Sequence, residues 1–313
     1  MSEGGTDMKK NYLSIDIGGT NIKLALINHS GQIQSKKQVR TPHEYSEFIA
    51  TLENEIELVQ DEIRGIAFSC PGKVDTDTGL ISFGGALPFL DGISFVKVFQ
   101  PKFQVPISVI NDGKAAALSE LWLGNLKGIE NGLALVLGTG IGGGLILEGK
   151  LYQGKNFQAG ELSFMMKPSD KPSFDDTYGK TGSAVGLVKS VNRVLGTEDL
   201  KDGAAAFEAI NQKDPNVYPI FEAFAREIAY MICNVQAILD LEKIVIGGGI
   251  SAQPIVTEEI RKQYRAVRAE LPFLAATLTE VEIDSCRFLN DANLLGALYQ
   301  LLLNADEEMA VNV

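Results

Sequence analysis

Two stretches of the chain repeat one pattern, in which a glycine-rich turn joins two apolar runs of strand type. In the first stretch, SIDIGGTNIKLALI, the turn Gly18-Gly19-Thr20-Asn21 separates residues 13–17 from residues 22–27. In the second stretch, NGLALVLGTGIGGGLILEGK, Gly138 stands 120 positions after Gly18 and begins the turn Gly138-Thr139-Gly140. An offset of this size is a plausible domain length. The repeat therefore predicts two related lobes that begin with the same hairpin.

The other apolar patterns place strands and helices in alternation. HEYSEFIATLENEIELVQ has a helical stripe, whereas GQIQSKKQVR, IRGIAFSC, PISVIND and KIVI are typical of strands. Helices are predicted in ISFVKVFQPKF, from about Lys114, near residues 184–195, 203–211 and 215–240, from about Pro254, and in DANLLGALYQLLLN. Residues 166–183, rich in Pro, Ser, Asp and Gly, predict a long loop. The alternation favours an α/β fold with a mixed sheet.

Composition narrows the possible partners. The chain has 313 residues, and 28 Lys and Arg against 40 Asp and Glu give a formal charge of −12, which disfavours nucleic acid and anionic membranes. Cys70, Cys233 and Cys286 are far apart, so neither a disulfide framework nor a zinc site is suggested. No signal peptide or membrane span is predicted, and we expect a cytoplasmic protein. The polar first eight residues could be disordered or an added segment.

The glycine turns suggest a site for phosphate. Without Cβ atoms in the way, backbone N–H groups can approach a phosphate, and a Thr hydroxyl adds one more donor. Asp16, which ends the first apolar run, could face a Mg²⁺ ion that bridges the phosphates, directly or through water. Alternatively, the hairpin needs glycine for positive φ and Asp16 lies on a solvated face. The repetition favours the phosphate interpretation, because two hairpins can grip one polyphosphate between two lobes.

Three other segments have two possible interpretations each. Asp112 could be a general base that accepts a proton from a substrate hydroxyl, or it could be an ordinary helix N-cap. The turn Gly247-Gly248-Gly249 could admit the adenosine of a nucleotide, or it could simply link a strand to a helix. Glu161 could accept hydrogen bonds from sugar hydroxyls, or it could be a solvated loop residue.

Taken together, six motifs resemble the ROK family of sugar kinases and sugar-responsive repressors, over about residues 12–304. They are DIGGTNIK, SCPGKVD, NDGKAAALSE, LGTGIGGGL, AGELSF and IGGGI. The resemblance implies the actin-like ATPase fold, which is ribonuclease H-like and hexokinase-type, with two α/β lobes around a cleft for ATP and sugar. Residues 1–115 and 293–313 would form the N-terminal lobe. Residues 116–292 would form the C-terminal lobe, with a homodimer surface.

The resemblance also implies residue roles. Asp112 matches the catalytic base, Asp16 the acid near Mg²⁺, and Asn111, Asp112 and Glu161 the sugar ligands, while the backbone of Gly72 lines the sugar. The implied ATP-binding residues are Gly18, Gly19, Thr20, Asn21, Lys23, Gly138, Thr139, Gly140, Gly248 and Gly249.

The chain departs from the family pattern around its zinc site. Relatives usually carry GExGH and then CxCGxxGCxE, in which the His and three Cys bind zinc and the His and final Glu also contact the sugar. In this chain Phe164 takes the place of that His and Val185 the place of that Glu, and Ala86 replaces a sugar-binding Asn. The three cysteine positions hold Asp176, Tyr178 and Ser183. We therefore expect no zinc.

Loss of these polar groups around C1 and C2 of the sugar suggests a substrate without the usual free hydroxyls there. The expected function is phosphorylation by ATP of the 6-hydroxyl of a hexose unit, in a β-glucoside or a disaccharide such as cellobiose or gentiobiose. Glucose, mannose or N-acetylmannosamine is the alternative substrate. A sugar-sensing repressor or non-catalytic sugar binder is a different class. Repressors of the family carry a helix-turn-helix domain first, whereas here the first predicted strand begins near residue 12.

Overall fold

A computed structural model describes residues 11–311, so the expectation for the first eight residues lies outside the described range. The strands are β1 (Asn11–Ile17), β2 (Asn21–Asn28), β3 (Ile33–Arg40), β4 (Ile63–Cys70), β5 (Lys73–Asp75), β6 (Leu80–Ser82), β7 (Ile107–Asn111), β8 (Gly132–Leu137), β9 (Ile141–Leu147), β10 (Lys150–Tyr152), β11 (Lys243–Gly247) and β12 (Glu282–Ser285). The helices are α1 (Tyr45–Glu57), α2 (Phe95–Phe103), α3 (Asp112–Leu123), α4 (Tyr178–Thr181), α5 (Ala184–Leu195), α6 (Gly203–Asn211), α7 (Tyr218–Leu239), α8 (Pro254–Glu270), α9 (Pro272–Thr277) and α10 (Ala292–Val311).

The chain divides into two compact units. The first unit contains the described residues up to Leu123, the segment Gly154–Gln158 and the described residues from Asp291 onward. The second unit contains Gly124–Gln153 and Ala159–Asn290. The boundary expected after residue 115 falls inside α3, and that helix lies whole within the first unit.

Each unit is built on a five-stranded mixed sheet. The first sheet has the order β3-β2-β1-β4-β7, and the second has the order β10-β9-β8-β11-β12. In both sheets the first three strands pair antiparallel and the last three pair parallel. The hairpins β1-β2 and β8-β9 occupy equivalent places. The duplication predicted for one hairpin thus extends to the strand order of both sheets.

The first sheet is covered on both faces. On one face, the Ser14 hydroxyl donates to the Leu294 carbonyl of α10 at 2.6 Å. On the other face, Phe68 of β4 packs against Phe95 and Phe99 of α2, with ring centroids 4.9 and 5.4 Å apart. Because both faces of β1 and β4 are covered, even the polar side chains of Ser14 and Ser69 are buried.

The core of the second unit gathers side chains from α5, α6, α7, α8 and the second sheet into one apolar cluster. Helices α7 and α8 pack against each other, and they bury Phe221 and Tyr264 almost completely. None of the described helices is both long enough and apolar enough to cross a membrane.

The structure differs from the sequence-based expectation in two segments. Residues 166–183 are not one irregular loop, because Met166 and Thr177 form an antiparallel bridge and α4 lies within the segment. Helix α3 begins at Asp112 rather than near Lys114. Elements as short as α4, β5, β6 and β10 contain too few residues for a periodic apolar pattern, which explains why the sequence did not reveal them.

Candidate active site

The first glycine turn is held closed by backbone contacts. The Gly18 amide donates to the Asn21 carbonyl at 3.1 Å, and the Thr41 hydroxyl donates to the Gly18 carbonyl at 2.7 Å. A Cβ on Gly18 would lie 2.9 Å from the Asn21 carbonyl oxygen, and a Cβ on Gly19 would lie 2.9 Å from Cβ of Ala86. Neither glycine has a positive φ. Close approach of neighbouring groups, not positive φ, is therefore what requires glycine here.

Asp16 lies beside this turn and is not on a solvated face. Its side chain is 8% exposed, and its carboxylate forms an ion pair with Lys23 at 3.3 Å across the β1-β2 ladder. The other carboxylate oxygen accepts a hydrogen bond from the Asn293 amide of α10 at 3.0 Å. A carboxylate can accept about four hydrogen bonds, so Asp16 keeps acceptor capacity for a metal-bound water.

The site chemistry fits Mg²⁺ held largely by a substrate. Among the side chains that the structure describes, residues 11–307, no three His, Cys, Asp or Glu converge as a metal cage. Mg²⁺ at phosphate-transfer sites keeps several waters and uses one or two carboxylates together with the substrate's phosphates. Asp16 alone satisfies that lower requirement, because the phosphates and waters would complete the coordination.

The N-cap role that the sequence left open for Asp112 belongs to Asn111. The side-chain oxygen of Asn111 accepts from the Lys114 amide at 3.2 Å, three residues ahead, which is the N-cap geometry of α3. Asp112 is exposed, and its Oδ1 accepts from the Gly113 amide at 2.8 Å and from the Asn111 side-chain amide at 3.0 Å. Because Asn111 caps the helix, the Asp112 carboxylate is held in place at an accessible position.

Gly72 is hydrogen-bonded to Asn111. Its carbonyl accepts from the Asn111 side-chain amide at 2.9 Å. Gly72 has a φ of 97°, and a Cβ there would lie 2.5 Å from the Phe83 carbonyl oxygen. Only glycine can hold the backbone in this conformation so close to its neighbour.

The carboxylates of Asp112 and Asp16 both act electrostatically on the Cys70 thiol. Burial raises the pKa of the Cys70 thiol well above its ordinary value, and the negative charges of Asp112 and Asp16 raise that pKa further. Strands β1, β4 and β7 run parallel, so residues at their carboxyl ends meet at one edge of the sheet. The first unit therefore assembles one group of the predicted site residues at that edge: Asp16, Gly18, Gly19, Ala86, Gly72, Asn111 and Asp112.

The second glycine turn has supports of its own. The Gly138 amide donates to the Gly140 carbonyl at 2.9 Å, and the Gly138 carbonyl accepts from the Val185 amide at 3.3 Å. A Cβ on Gly140 would lie 2.6 Å from Oγ of Ser163. Thr139 is exposed between the two glycines. This turn leaves its threonine side chain accessible, as the first turn does with Thr20.

Gly248 packs against the strand that leads into the second turn. It has a φ of 96°, and a Cβ there would lie 2.1 Å from the Leu137 carbonyl oxygen. Gly249, by contrast, is exposed, and a Cβ there would meet no atom of the described residues within 4 Å. Gly248 thus permits contact between the ends of β8 and β11, whereas Gly249 leaves open space beside them.

Glu161 follows another close backbone contact in the second unit. Gly160 has a φ of 85°, and a Cβ there would lie 2.7 Å from the Gly143 carbonyl oxygen. Glu161 is half-buried, and Phe164, three residues later, is 68% exposed. Val185 is half-buried in the first turn of α5. The second unit therefore carries Glu161, Phe164 and Val185 on segments adjoining the second glycine turn.

The residues at the expected cysteine positions make bonds within the protein. Asp176 accepts from the Ser173 amide at 2.8 Å and from its hydroxyl at 2.9 Å, and these hydrogen bonds lower the pKa of Asp176. Tyr178 is buried, and its hydroxyl accepts from the Asn234 amide at 3.4 Å. Ser183 caps α5 by accepting from a backbone amide at 2.9 Å. Asp176 and Ser183 stabilise local structure, whereas Tyr178 links its segment to α7.

Three supporting residues were missed by sequence reasoning. Thr41 holds the first turn, Ser163 accepts from a backbone amide beside the second turn, and Asn293 holds Asp16. Ser163 lies inside the AGELSF motif, so its position was a usable signal. No local pattern distinguishes Thr41 or Asn293 from other polar residues.

Known proteins match this chain over nearly its whole length. Residues 12–302 match the family described as the ROK family. A β-glucoside kinase from Listeria innocua is 29% identical over 296 residues, covering 92% of this chain and 96% of that protein. A glucokinase from Halalkalibacterium halodurans is 27% identical over 317 residues, covering 91% and 93%.

A solved structure also has a similar fold. A ROK family protein from Streptococcus pneumoniae, in complex with sucrose, superposes with a TM-score of 0.85 at 29% identity, covering 95% of this chain and 99% of that chain. Together with the mixed α/β architecture, this match confirms the actin-like ATPase fold expected from the sequence. The sequence match, the repeated sheets and the paired glycine turns lead to one conclusion: the chain belongs to the ROK family.

Proposed function

We propose that this protein is an ATP-dependent sugar kinase that phosphorylates the 6-hydroxyl of a hexose unit. The observation that carries the proposal is the Asp112 carboxylate. It is exposed at the carboxyl edge of the first sheet and is fixed there by two hydrogen bonds. Its neighbours include a closed glycine turn suited to phosphate. Relatives named as sugar kinases support the kinase class.

In this proposal Asp112 acts as the general base. It accepts the proton of the sugar's 6-hydroxyl while that oxygen attacks the γ-phosphorus, and the bond from phosphorus to the β,γ-bridging oxygen breaks to release ADP. Backbone amides of the turns at Gly18 and Gly138 would donate to the phosphate oxygens. Mg²⁺, when bound with ATP near Asp16, would supply positive charge to the phosphates.

Roles for the other polar groups follow from the same proposal. Asn21, Lys23, Thr20 and Thr139 would contribute donors to ATP, whose adenosine would lie towards Gly248 and the open space at Gly249. Asn111 and Glu161 would bind sugar hydroxyls. Asn111 would also keep Asp112 oriented, as its present hydrogen bond to Oδ1 suggests.

We further propose a β-glucoside or a disaccharide, such as cellobiose or gentiobiose, as the substrate. Ala86 and Phe164 are exposed and Val185 is half-buried, so none of these apolar side chains offers a hydrogen bond to a free sugar hydroxyl. A sugar that carries an aglycone at C1 loses less from this exchange, because its C1 oxygen is not a hydroxyl. The Listeria innocua relative is named a β-glucoside kinase.

The base assignment is tested by Asp112→Asn, with Asp77→Asn as a matched control at an exposed loop position of the same unit. A lost general base typically lowers turnover by about 100-fold to 10,000-fold. We expect ADP release by Asp112→Asn to fall within that range while sugar affinity changes little. Asp77→Asn should retain full turnover. If Asp112→Asn keeps its turnover, Asp112 is not the base.

The substrate assignment is tested by comparing glucose, N-acetylmannosamine, cellobiose and gentiobiose. We expect higher kcat/KM for the disaccharides, and Phe164→His combined with Val185→Glu should shift the ratio towards free glucose. An unchanged ratio of kcat/KM for the disaccharides to that for glucose would contradict the proposed role of Phe164 and Val185 in specificity. The glucokinase relative favours the rival, a kinase for free glucose, mannose or N-acetylmannosamine. Sugar binding without ADP formation would instead indicate a sensor.

A further inference from the structure

Lys114 is a buried charged residue that the proposed reaction does not use. It lies in the first turn of α3, two residues after Asp112, and only 1% of it is exposed. An ammonium group removed from water is costly unless oxygen atoms of the protein replace its hydration. The buried ammonium of Lys114 therefore needs hydrogen-bond partners within the protein.

One partner of Lys114 lies far along the chain. Its Nζ donates to the Phe157 carbonyl at 2.5 Å, across a sequence separation of 43 residues. Its backbone amide donates to the capping oxygen of Asn111. Hydrogen bonds from a charged donor are roughly twice as strong as neutral ones. The Lys114 side chain thus connects the segment around Phe157 to the helix that begins at Asp112.

The segment that Lys114 binds is a tight loop. Gly154–Gln158 clusters with the first unit, although both flanking segments belong to the second. The Phe157 amide donates to the Gly154 carbonyl at 3.3 Å, and the Ala159 amide donates to the Gln153 carbonyl at 3.0 Å, which closes the loop. Phe157 has a φ of 55°, a region that non-glycine residues seldom adopt. Contacts such as the Lys114 bond must offset this unfavourable backbone conformation.

The loop leads directly to a proposed sugar ligand. Glu161 follows Phe157 by four residues, and four residues span at most about 14 Å. Gly160, just before Glu161, is packed tightly on Gly143. With one end held by Lys114 and the other by Gly143, the backbone before Glu161 has little freedom.

We propose that Lys114 is a positioning residue for sugar binding: its ammonium holds the loop 154–158 against α3 and thereby orients the backbone that carries Glu161. This inference rests on the proposed kinase function, and it assigns Lys114 no contact with substrate. Loss of the bond would loosen the loop and weaken sugar binding, whereas ATP would bind as before.

The test combines kinetics with hydrogen exchange. Lys114→Met removes the donor at similar length, and Lys114→Gln keeps a shorter neutral donor. Lys102→Met is the control, because Lys102 is exposed and its ammonium contacts Glu53, Glu57 and the Phe103 ring instead of the loop. We expect the sugar KM to rise at least about 10-fold in Lys114→Met with kcat and the ATP KM changed less than about 3-fold. Lys114→Gln should lie between this variant and the wild type.

Hydrogen exchange of the Ala159 amide, measured without ligands, reports on the loop independently of activity. It should be at least about 10-fold faster in Lys114→Met than in the wild type and unchanged in Lys102→Met. Unaltered exchange, or faster exchange with an unaltered sugar KM, would overturn the inference. If Lys114→Met does not fold, the same two measurements on Lys114→Gln decide. A wild-type protein that phosphorylates no sugar would overturn the proposed function itself, whatever the loop does.

Discussion

Gly296 of α10 permits a very close contact with α3, and replacing it should destabilise the protein measurably. An ideal Cβ at Gly296 would lie 1.7 Å from the Ala115 carbonyl oxygen of α3 and 2.4 Å from its carbonyl carbon. Real Cβ atoms essentially never approach another heavy atom within 3.0 Å. In Gly296→Ala the two helices must therefore separate by about 1.3 Å, the difference between 3.0 and 1.7 Å.

The expected loss of stability in Gly296→Ala is the difference between two opposing effects. Overpacking in a well-packed core costs about 1–3 kcal/mol, and the upper value applies here because a backbone carbonyl cannot rotate away. Exchanging glycine for alanine inside a helix returns about 1 kcal/mol of helix propensity. We therefore expect Gly296→Ala to lower the free energy of unfolding by about 2 kcal/mol.

Equilibrium unfolding in urea measures this difference. Gly203→Ala is the matched control, because Gly203 is also helical and a Cβ there would meet no atom within 4 Å in the described part of the chain. The control should remain within about 1 kcal/mol of the wild type. If Gly296→Ala lies within about 0.5 kcal/mol of the wild type, the reasoning from close helix contact is wrong.

Three further predictions concern buried hydroxyls and pH. Oγ of Ser69 is buried and has no hydrogen-bond partner among the described residues, so Ser69→Ala should leave the free energy of unfolding in urea unchanged or raise it by up to about 1 kcal/mol; a clear loss would contradict this. Hydrogen bonds from Ser173 lower the pKa of Asp176 below 3.8, so its stabilisation should be complete above that pH and lost as the pH falls through the lowered value. Limited proteolysis between about pH 5 and about pH 2 should therefore cut residues 166–183 faster at the acid end, and an equal rise in Asp176→Asn would argue against the cause. Burial, followed by the hydrogen bond to Glu259, raises the pKa of Tyr218 from 10.0 to about 12, so the neutral phenol stabilises the fold up to about pH 10 and this contribution fades as the pH rises through about 12. Tyr218→Phe should show a smaller fall of Tm over that interval, and an identical fall would remove Tyr218 as the cause.

Elements with strong local signals could be predicted closely. The helices predicted at residues 184–195 and 203–211 are present with those bounds, and their start signals are local. Ser183 accepts from the Gly186 amide, and Asp202 accepts from the Ala205 amide, each acting as an N-cap. Such caps involve residues within about three positions of each other, so sequence alone reveals them.

Local sequence signals could not decide which predicted site residue is available for chemistry and which one stabilises the helix. Asp112 and Asn111 both suit an N-cap by residue type. Only the distance of 3.2 Å between the Asn111 side-chain oxygen and the Lys114 amide identifies Asn111 as the cap. That assignment leaves Asp112 accessible for the proposed proton transfer.

The sequence by itself determined the duplicated hairpins, the two glycine turns and the family, because each depends on residue types at short, regular spacings. The tertiary structure decided which groups hold the site in place. Thr41 lies 23 residues from the Gly18 carbonyl that it binds, and Asn293 lies 277 residues from Asp16. A hydrogen bond requires about 3 Å between donor and acceptor, and a separation along the chain of this length imposes no such distance. Only the packing of α10 and the strands brings these groups together.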